Sequence, residues 1–380
     1  MAHISTYATP NGKKYRVRWR DENKKQREKR GFTRKRDAID FKSELEGDFR
    51  SGTYVAPNAG RTTIASVGAD WMLRQTHLAP STLRSVETTW RVHVKPRWGE
   101  RSMSSIKQLD ISRWIAELSN DGKSATVVLR AFGVLRGILD DAVSAKLIKT
   151  NPAQGVKNLP KKRKGEHIYL DHASVQRLAD AAGGQWRLLV YLACYTGMRW
   201  GEITALRVSD LDFDRRRVKI VRNAVESGSK FHVGTPKSGK TRTAPLPGFL
   251  ANEFKEFCSE KTPSSLVFEA PRRSGFILRP KPKGRSEGGT GGSWWALAKE
   301  SSGVPAQMRI HDMRHTAASL AVQSGAHVKV LQHMLGHASA AMTLDTYSDL
   351  FDDDLDQVSE ALDAHRSQQL RMECGQDVGK

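Results

Sequence analysis

A chain of 380 residues, 38% of them hydrophobic, is long enough to build two or three separate cores. Its 62 Lys and Arg against 41 Asp and Glu leave a formal charge of +21, which points to a polyanionic partner, nucleic acid before an anionic membrane surface. No apolar run approaches the roughly 18 residues of a membrane span, and Met1 to Pro10 lack the basic-then-apolar pattern of a signal peptide, so a cytoplasmic protein is expected. Cys194, Cys258 and Cys374 are odd in number, far apart and in no C-x-x-C pair, which argues against a disulfide framework and against cysteine-bound zinc.

The first segment, residues 1–60, alternates: Tyr15, Val17 and Trp19 fall on one strand face, Arg16, Arg18 and Arg20 on the other. The polar turn Asp21-Glu22-Asn23 and the basic run Lys24 to Arg30 read as the return of a hairpin. Thr33 is a plausible N-cap for a helix carrying Ala38, Phe41, Leu45 and Phe49, with Gly52 near its stop. A small three-stranded sheet backed by one helix is expected, with Arg16, Arg18 and Arg20 as a cationic, DNA-binding face.

Residues 55–60 read as a linker, and residues 61–160 as an all-helical domain. Ser81 is expected to cap a helix with Leu83, Val86 and Trp90 on its stripe. A second helix begins near Ser124, carries Leu129, Phe132, Leu135 and Leu139, and is expected to end at Asn151-Pro152. The basic connector Lys161, Lys162, Arg163 and Lys164 follows, a second candidate DNA contact. From residue 165 to about 365 the pattern is mixed but mainly helical, with a small antiparallel sheet. Trp186 to Tyr195 is a mostly apolar helix stopping at Gly197, Arg217 to Val221 and Lys230 to Val233 read as strands, and Arg272 to Gly292 reads as a loop rich in Pro, Gly and basic residues. The fold class is therefore a multidomain α/β protein.

Cleaving a phosphodiester without a metal needs a nucleophile, cations at the nonbridging oxygens and an acid for the departing 5′ oxygen. The third segment holds such a set. Arg199 stands three residues before Glu202, so that the two share a helix face. His311 and Arg314 are likewise one turn apart in His311-Asp312-Met313-Arg314-His315, His337 follows Leu335-Gly336, and Tyr347 comes ten residues later.

The series Arg199, Lys237, His311-x-x-Arg314, Leu335-Gly336-His337 and Tyr347 resembles the catalytic signature of tyrosine recombinases of the phage-integrase type. The basic first segment is similar to the arm-binding domains of integrases related to that of lambda. The resemblance implies that Tyr347 attacks the scissile phosphate to form a 3′-phosphotyrosine, Arg199 and Arg314 clamp the nonbridging oxygens, and Lys237 protonates the leaving oxygen from a hairpin tip. His311 would assist proton transfer, His337 hydrogen-bond the phosphate, and Glu202 support Arg199. It further implies double-stranded DNA with core-type and arm-type attachment sites, a homotetramer on DNA, a host DNA-bending protein, a directionality factor and a bacterial host cell, with no cofactor. A topoisomerase of the IB class and an inert DNA-binding protein on the same scaffold are the alternatives. Lys240 is the alternative hairpin lysine.

Two competing motifs are set aside. Gly234 to Thr241 satisfies G-x-x-x-x-G-K-T, but a P-loop must open a helix and Arg242-Thr243-Ala244-Pro245 denies one. His311 and His315 have the i, i+4 spacing of a zinc helix, but Arg314 puts a fixed positive charge beside the ion, so no metal is expected and His315 reads as a structural neighbour.

Overall fold

The computed structural model describes residues 2–350 apart from residues 11, 23, 163–164, 229, 237–238, 271–274 and 281–292, and beyond them residues 359–360, 362–367 and 370. It divides into two compact units, residues 1–164 and 165–380.

In the first unit, strands β1 (His3–Thr9), β2 (Gly12–Arg20) and β3 (Gln26–Phe32) form an antiparallel meander in that order. The period-two alternation does what was expected of it. Val17 and Trp19 are buried while Arg20 is exposed. Helix α1 (Lys35–Ser51) covers the apolar face, and Trp19 Nε1 donates to Tyr54 Oη at 2.9 Å inside this small core. Arg34, not Thr33, occupies the N-cap, without a side-chain cap, whereas Gly52 ends the helix in the left-handed conformation.

Helices α2 (Ile64–Leu73), α3 (Pro80–Thr89), α4 (Lys95–Trp98), α5 (Gln108–Asn120) and α6 (Ala125–Ser144) build a separate core around Trp98, Ile111, Ile115, Leu135 and Ile138. Ser124 caps α6 by accepting from the Val127 amide. Two expectations shift. Pro80, one residue before Ser81, opens α3, because its missing N–H is one that a first turn leaves unpaired anyway. Helix α6 stops at Ser144, well short of Asn151, and Lys146 takes a positive φ of 54° to reverse the chain. Asn151 then ties that reversal to α6, donating to the Arg136 carbonyl at 3.1 Å and accepting from the Ala153 amide at 2.8 Å.

The second unit starts with α7 (His172–Ala182) and α8 (Gly184–Thr196), which ends at Gly197 in the left-handed region, as the sequence suggests. After the short α9 (Trp200–Thr204), strands β4 (Leu211–Asp212), β5 (Arg217–Ile220), β6 (Asn223–Ser227), β7 (Lys230–Gly234) and β8 (Arg242–Pro245) make two sheets, ordered β4-β5-β8 and β6-β7. The expected hairpin around Lys237 is therefore replaced. Strand β7 turns back on β6, β8 pairs with β5, and residues 235–241 join two sheets. Since β8 follows directly, no helix opens at Thr241 and the P-loop reading fails on geometry. Helices α10 (Gly248–Phe257), α11 (Trp294–Ser302), α12 (Asp312–Gln323), α13 (Val328–Leu335) and α14 (Ala340–Tyr347) complete the unit. Helix α12 is buried on nearly every side, from Asp312 to Leu320, and forms the floor on which α13 and α14 rest. Among the described residues no helix is long and apolar enough to cross a membrane.

Candidate active site

The C-terminal end of α13 organises the site. A helix leaves its last carbonyls without intrahelical partners and carries partial negative charge there. Three arginines from three different elements take those carbonyls: Arg242 Nε donates to Met334 O at 2.9 Å, Arg314 Nη2 to Leu335 O at 2.6 Å, and Arg199 Nη2 to Gly336 O at 3.4 Å. Arg314 also donates to Gly197 O at 2.6 Å. The close approach depends on two glycines. A Cβ on Gly197 would lie 2.5 Å from Leu335 Cδ2, and one on Gly336 would lie 2.8 Å from Arg242 Cδ, both at positive φ.

Glu202 answers this charge. Its carboxylate accepts the Arg199 amide at 2.8 Å and Arg199 Nη1 at 3.0 Å, the pairing expected from their three-residue spacing, and receives a bidentate pair from Arg242 at 2.8 and 2.7 Å. Burial pushes the Glu202 carboxyl up, but the hydrogen bonds and charge of Arg242 outweigh it and hold the group below its usual range. Arg242 is 6% exposed, and sequence reasoning missed it. Nothing local marks it out, because Glu202 lies 40 residues away and Met334 lies 92 away.

Three guanidiniums against one carboxylate leave two uncompensated positive charges in a largely buried cluster. The nearby Asp312 is met by Arg309, whose backbone amide donates to it at 2.6 Å and whose Nε lies 3.7 Å away. The imidazoles respond to this excess. Burial, then Arg314, Arg279 and Arg199, push His311 down to about 4, and burial, then Arg314, Arg199 and Arg242, push His337 down to about 4. Burial and repulsion from Arg199 and Arg242 lower Arg314 to about 9, which leaves it charged at neutral pH. At pH 7 the cluster thus offers fixed cations and neutral imidazoles, a combination that binds an anion and can still move protons.

His337 is fixed by its amide, which donates to Gln332 O at 3.1 Å, and by Nδ1, which lies 3.0 Å from Thr343 Oγ1. Its ring lies parallel to that of Tyr347, 6.2 Å away. Tyr347, the last residue of α14, is 1% exposed, and its hydroxyl lies 2.9 Å from His315 Nδ1. Burial raises the phenol to about 12, against the opposing charge of Arg314. On the side of Arg199 and His311 a cavity of about 360 Å³ is further bordered by Trp200, Phe231 and Arg279.

The structure thus brings together Arg199, Glu202, His311, Arg314, His337 and Tyr347. Lys237 lies outside the described residues, and Lys240 is exposed in the 235–241 segment. His167, Asp312 and His315 each bring a possible ligand atom within 4.8 Å of the others. The His167 and His315 rings, however, are stacked at 3.8 Å and 29°, so their in-plane lone pairs do not converge on one ion, and the set does not fit a metal.

Residues 169–353 match the model of the phage integrase family. That segment, which carries the clustered groups, is a phage integrase domain, and the chain is similar to tyrosine recombinases. This makes it an enzyme of DNA strand breakage and rejoining. It is 26% identical over 295 residues to the integrase of Mycobacterium phage D29, which covers 75% of this chain and 74% of that one. Its fold is similar to the Tn1549 transposon integrase in complex with transposon right end DNA, with a TM-score of 0.62, 20% identity, and coverage of 79% of this chain and 99% of that one. A lambda integrase tetramer bound to a Holliday junction matches with a TM-score of 0.55 and 18% identity, over 88% of this chain and 96% of that one.

On the candidate DNA face of the first unit, Arg16 Nε donates to Ser5 Oγ at 2.9 Å, and Glu28 sits 3.8 Å from Arg16 and 3.5 Å from Arg18 and also pairs with Arg30. Of the three expected contacts, Arg20 is the most exposed. Lys161 and Lys162 are exposed, whereas Arg163 and Lys164 lie outside the described residues.

Proposed function

We propose that this chain joins two DNA sites through a 3′-phosphotyrosine formed on Tyr347. The observation that carries the reading is the convergence of Tyr347, Arg199, Arg314, His311 and His337 on one cluster with two uncompensated positive charges. The Arg199 and Arg314 forks, already held by carbonyls on one side, present their remaining N–H groups to the nonbridging oxygens, and His337 adds a hydrogen bond. Lys237, or Lys240 in its place, protonates the 5′ oxygen with His311 assisting. Attack exchanges one phosphate ester for another, so the intermediate keeps the bond energy for rejoining and the reaction requires neither a metal nor a nucleotide.

The substrate is double-stranded DNA. Residues 61–160 and 165–365 are the core-binding and catalytic domains, with Lys161 to Lys164 following the backbone, while residues 1–60 hold arm-type sites through Arg16, Arg18 and Arg20. The tetrameric lambda complex supports assembly of four copies on paired sites. A host DNA-bending protein, a directionality factor and a location in the bacterial cytoplasm belong to the same proposal.

The test is to incubate the chain in EDTA with nicked duplexes carrying a randomised core and to capture SDS-resistant adducts. Wild type should yield adducts and select a sequence, and Tyr347→Phe should bind the selected duplex without forming any. An adduct in the Phe variant, or none with wild type, rejects the reading.

A further inference from the structure

Tyr347 must lose a proton as it attacks, and the hydrogen bond recorded for its hydroxyl goes to His315, a residue outside the set of Arg199, Lys237, His311, Arg314, His337 and Tyr347. The contact is buried and short, Nδ1 to Oη at 2.9 Å, with His315 7% and Tyr347 1% exposed. His315 is placed by its surroundings. His167 stacks on one face at 3.8 Å, His311 meets it edge-on at 5.1 Å, and the Asp312 carboxylate lies within 4.8 Å of an imidazole nitrogen. Arg314 and Arg309 add positive charge, and Tyr169 faces the Tyr347 phenol.

We propose that His315 is the proton acceptor for Tyr347, and the proton donor to it when the strand is rejoined. This rests on Tyr347 being the nucleophile. A phenol that donates its hydrogen to Nδ1 keeps its oxygen lone pairs for phosphorus. In the forward step the Tyr347 Oη–P bond forms, the P–O5′ bond breaks, the phenolic proton passes to His315 Nδ1, and Lys237, or Lys240 in its place, protonates O5′. In rejoining, the 5′ hydroxyl attacks, the Oη–P bond breaks, and His315 returns its proton to the phenolate.

Electrostatics make this acceptor dependent on substrate. Burial, then His167, His311, Arg314 and Arg309, push His315 down to about 3, so in the DNA-free chain it is neutral and the phenol keeps its proton. A phosphodiester bound to Arg314 cancels one of those repulsions and strengthens the base where and when it is needed.

His315→Asn keeps a hydrogen-bond acceptor and removes the base. On the duplex selected above, adduct formation should fall about 10²–10⁴-fold, the usual worth of such assistance. The wild-type rise of the cleavage rate with pH should flatten in the variant. A second substrate separates proton transfer from damage to the site: a duplex ending in a 3′-p-nitrophenyl phosphate, joined to a 5′-hydroxyl strand by the Tyr347→Phe chain. Its leaving group needs no proton, so adding His315→Asn should change joining less than about threefold. Cleavage by His315→Asn within a few-fold of wild type overturns the proposal, and so does an equal loss on both substrates, which would make His315 a scaffold. Failure of wild type to form any adduct would instead sink the nucleophile assignment.

Discussion

Glu202 gathers two of the three guanidiniums of the cluster, and its removal therefore reaches beyond its own contacts. Glu202→Gln keeps the shape but leaves Arg242, at 6% exposure, without its bidentate partner. Breaking a buried ion pair by removing one member costs about 3–5 kcal/mol, because the remaining charge stays desolvated. Thermal melts of the whole chain should show the transition of the second unit lowered while that of the first stays in place, and equal shifts in both would reject this. The imidazoles give a pH dependence. His311 and His337 titrate near 4 in the fold but near 6.5 when unfolded, and His315 lower still. Their neutral forms contribute stability above about 6.5, and that contribution is lost as pH falls toward 4, where the unfolded chain binds more protons. Melting temperature should drop across that window, and His337→Asn should flatten the drop.

At the scale of the element, α13 matters through its end more than its length. Gly336 at the C-cap has φ 66° and sits 2.8 Å, by its missing Cβ, from Arg242 Cδ, whereas Gly325 has φ 78° with open space around it. Gly336→Ala and Gly325→Ala should both incur the left-handed strain of roughly 1–2 kcal/mol. Only the former should also displace Arg242 and lower adduct formation, and equal activity of the two variants would deny α13 its organising part. Legibility in the sequence follows contact range. His311 with Arg314 and Arg199 with Glu202 could be read because one helical turn aligns them. Gly52, Ser124 and Gly197 could be read because capping is local chemistry. Arg242 and the His315 contact to Tyr347 could not, since their partners come together through the packing of α12, α13 and β8. The strand pairing around residues 235–241 failed for the same reason, as β8 finds β5 across the sheet and not its neighbour β7.

For the whole molecule, the first unit contains two cores that do not share residues, one under the β1-β2-β3 sheet and one among α2 to α6. They are linked on the surface by Lys149 with Asp48 and Glu44, at 2.6 and 3.2 Å, and by Lys146 with Glu22, at 2.5 Å. Exposed pairs of this kind are each worth about 0–1 kcal/mol. Removing residues 1–60 should therefore leave the helical core folded and short-duplex binding intact, yet abolish integration between full attachment sites. Integration at the wild-type level would remove the arm-binding assignment.

The three arginines seated on α13 give the site a single point of failure. Its cations are not three independent fixtures, each correctable by a nearby substitution, because they share one mounting. A slip of α13 by one residue would disarm them all at once, and no compensating change beside any one arginine would restore the others. Such a centre tolerates drift in its periphery and little at Met334, Leu335 and Gly336, whose carbonyls carry the mounting.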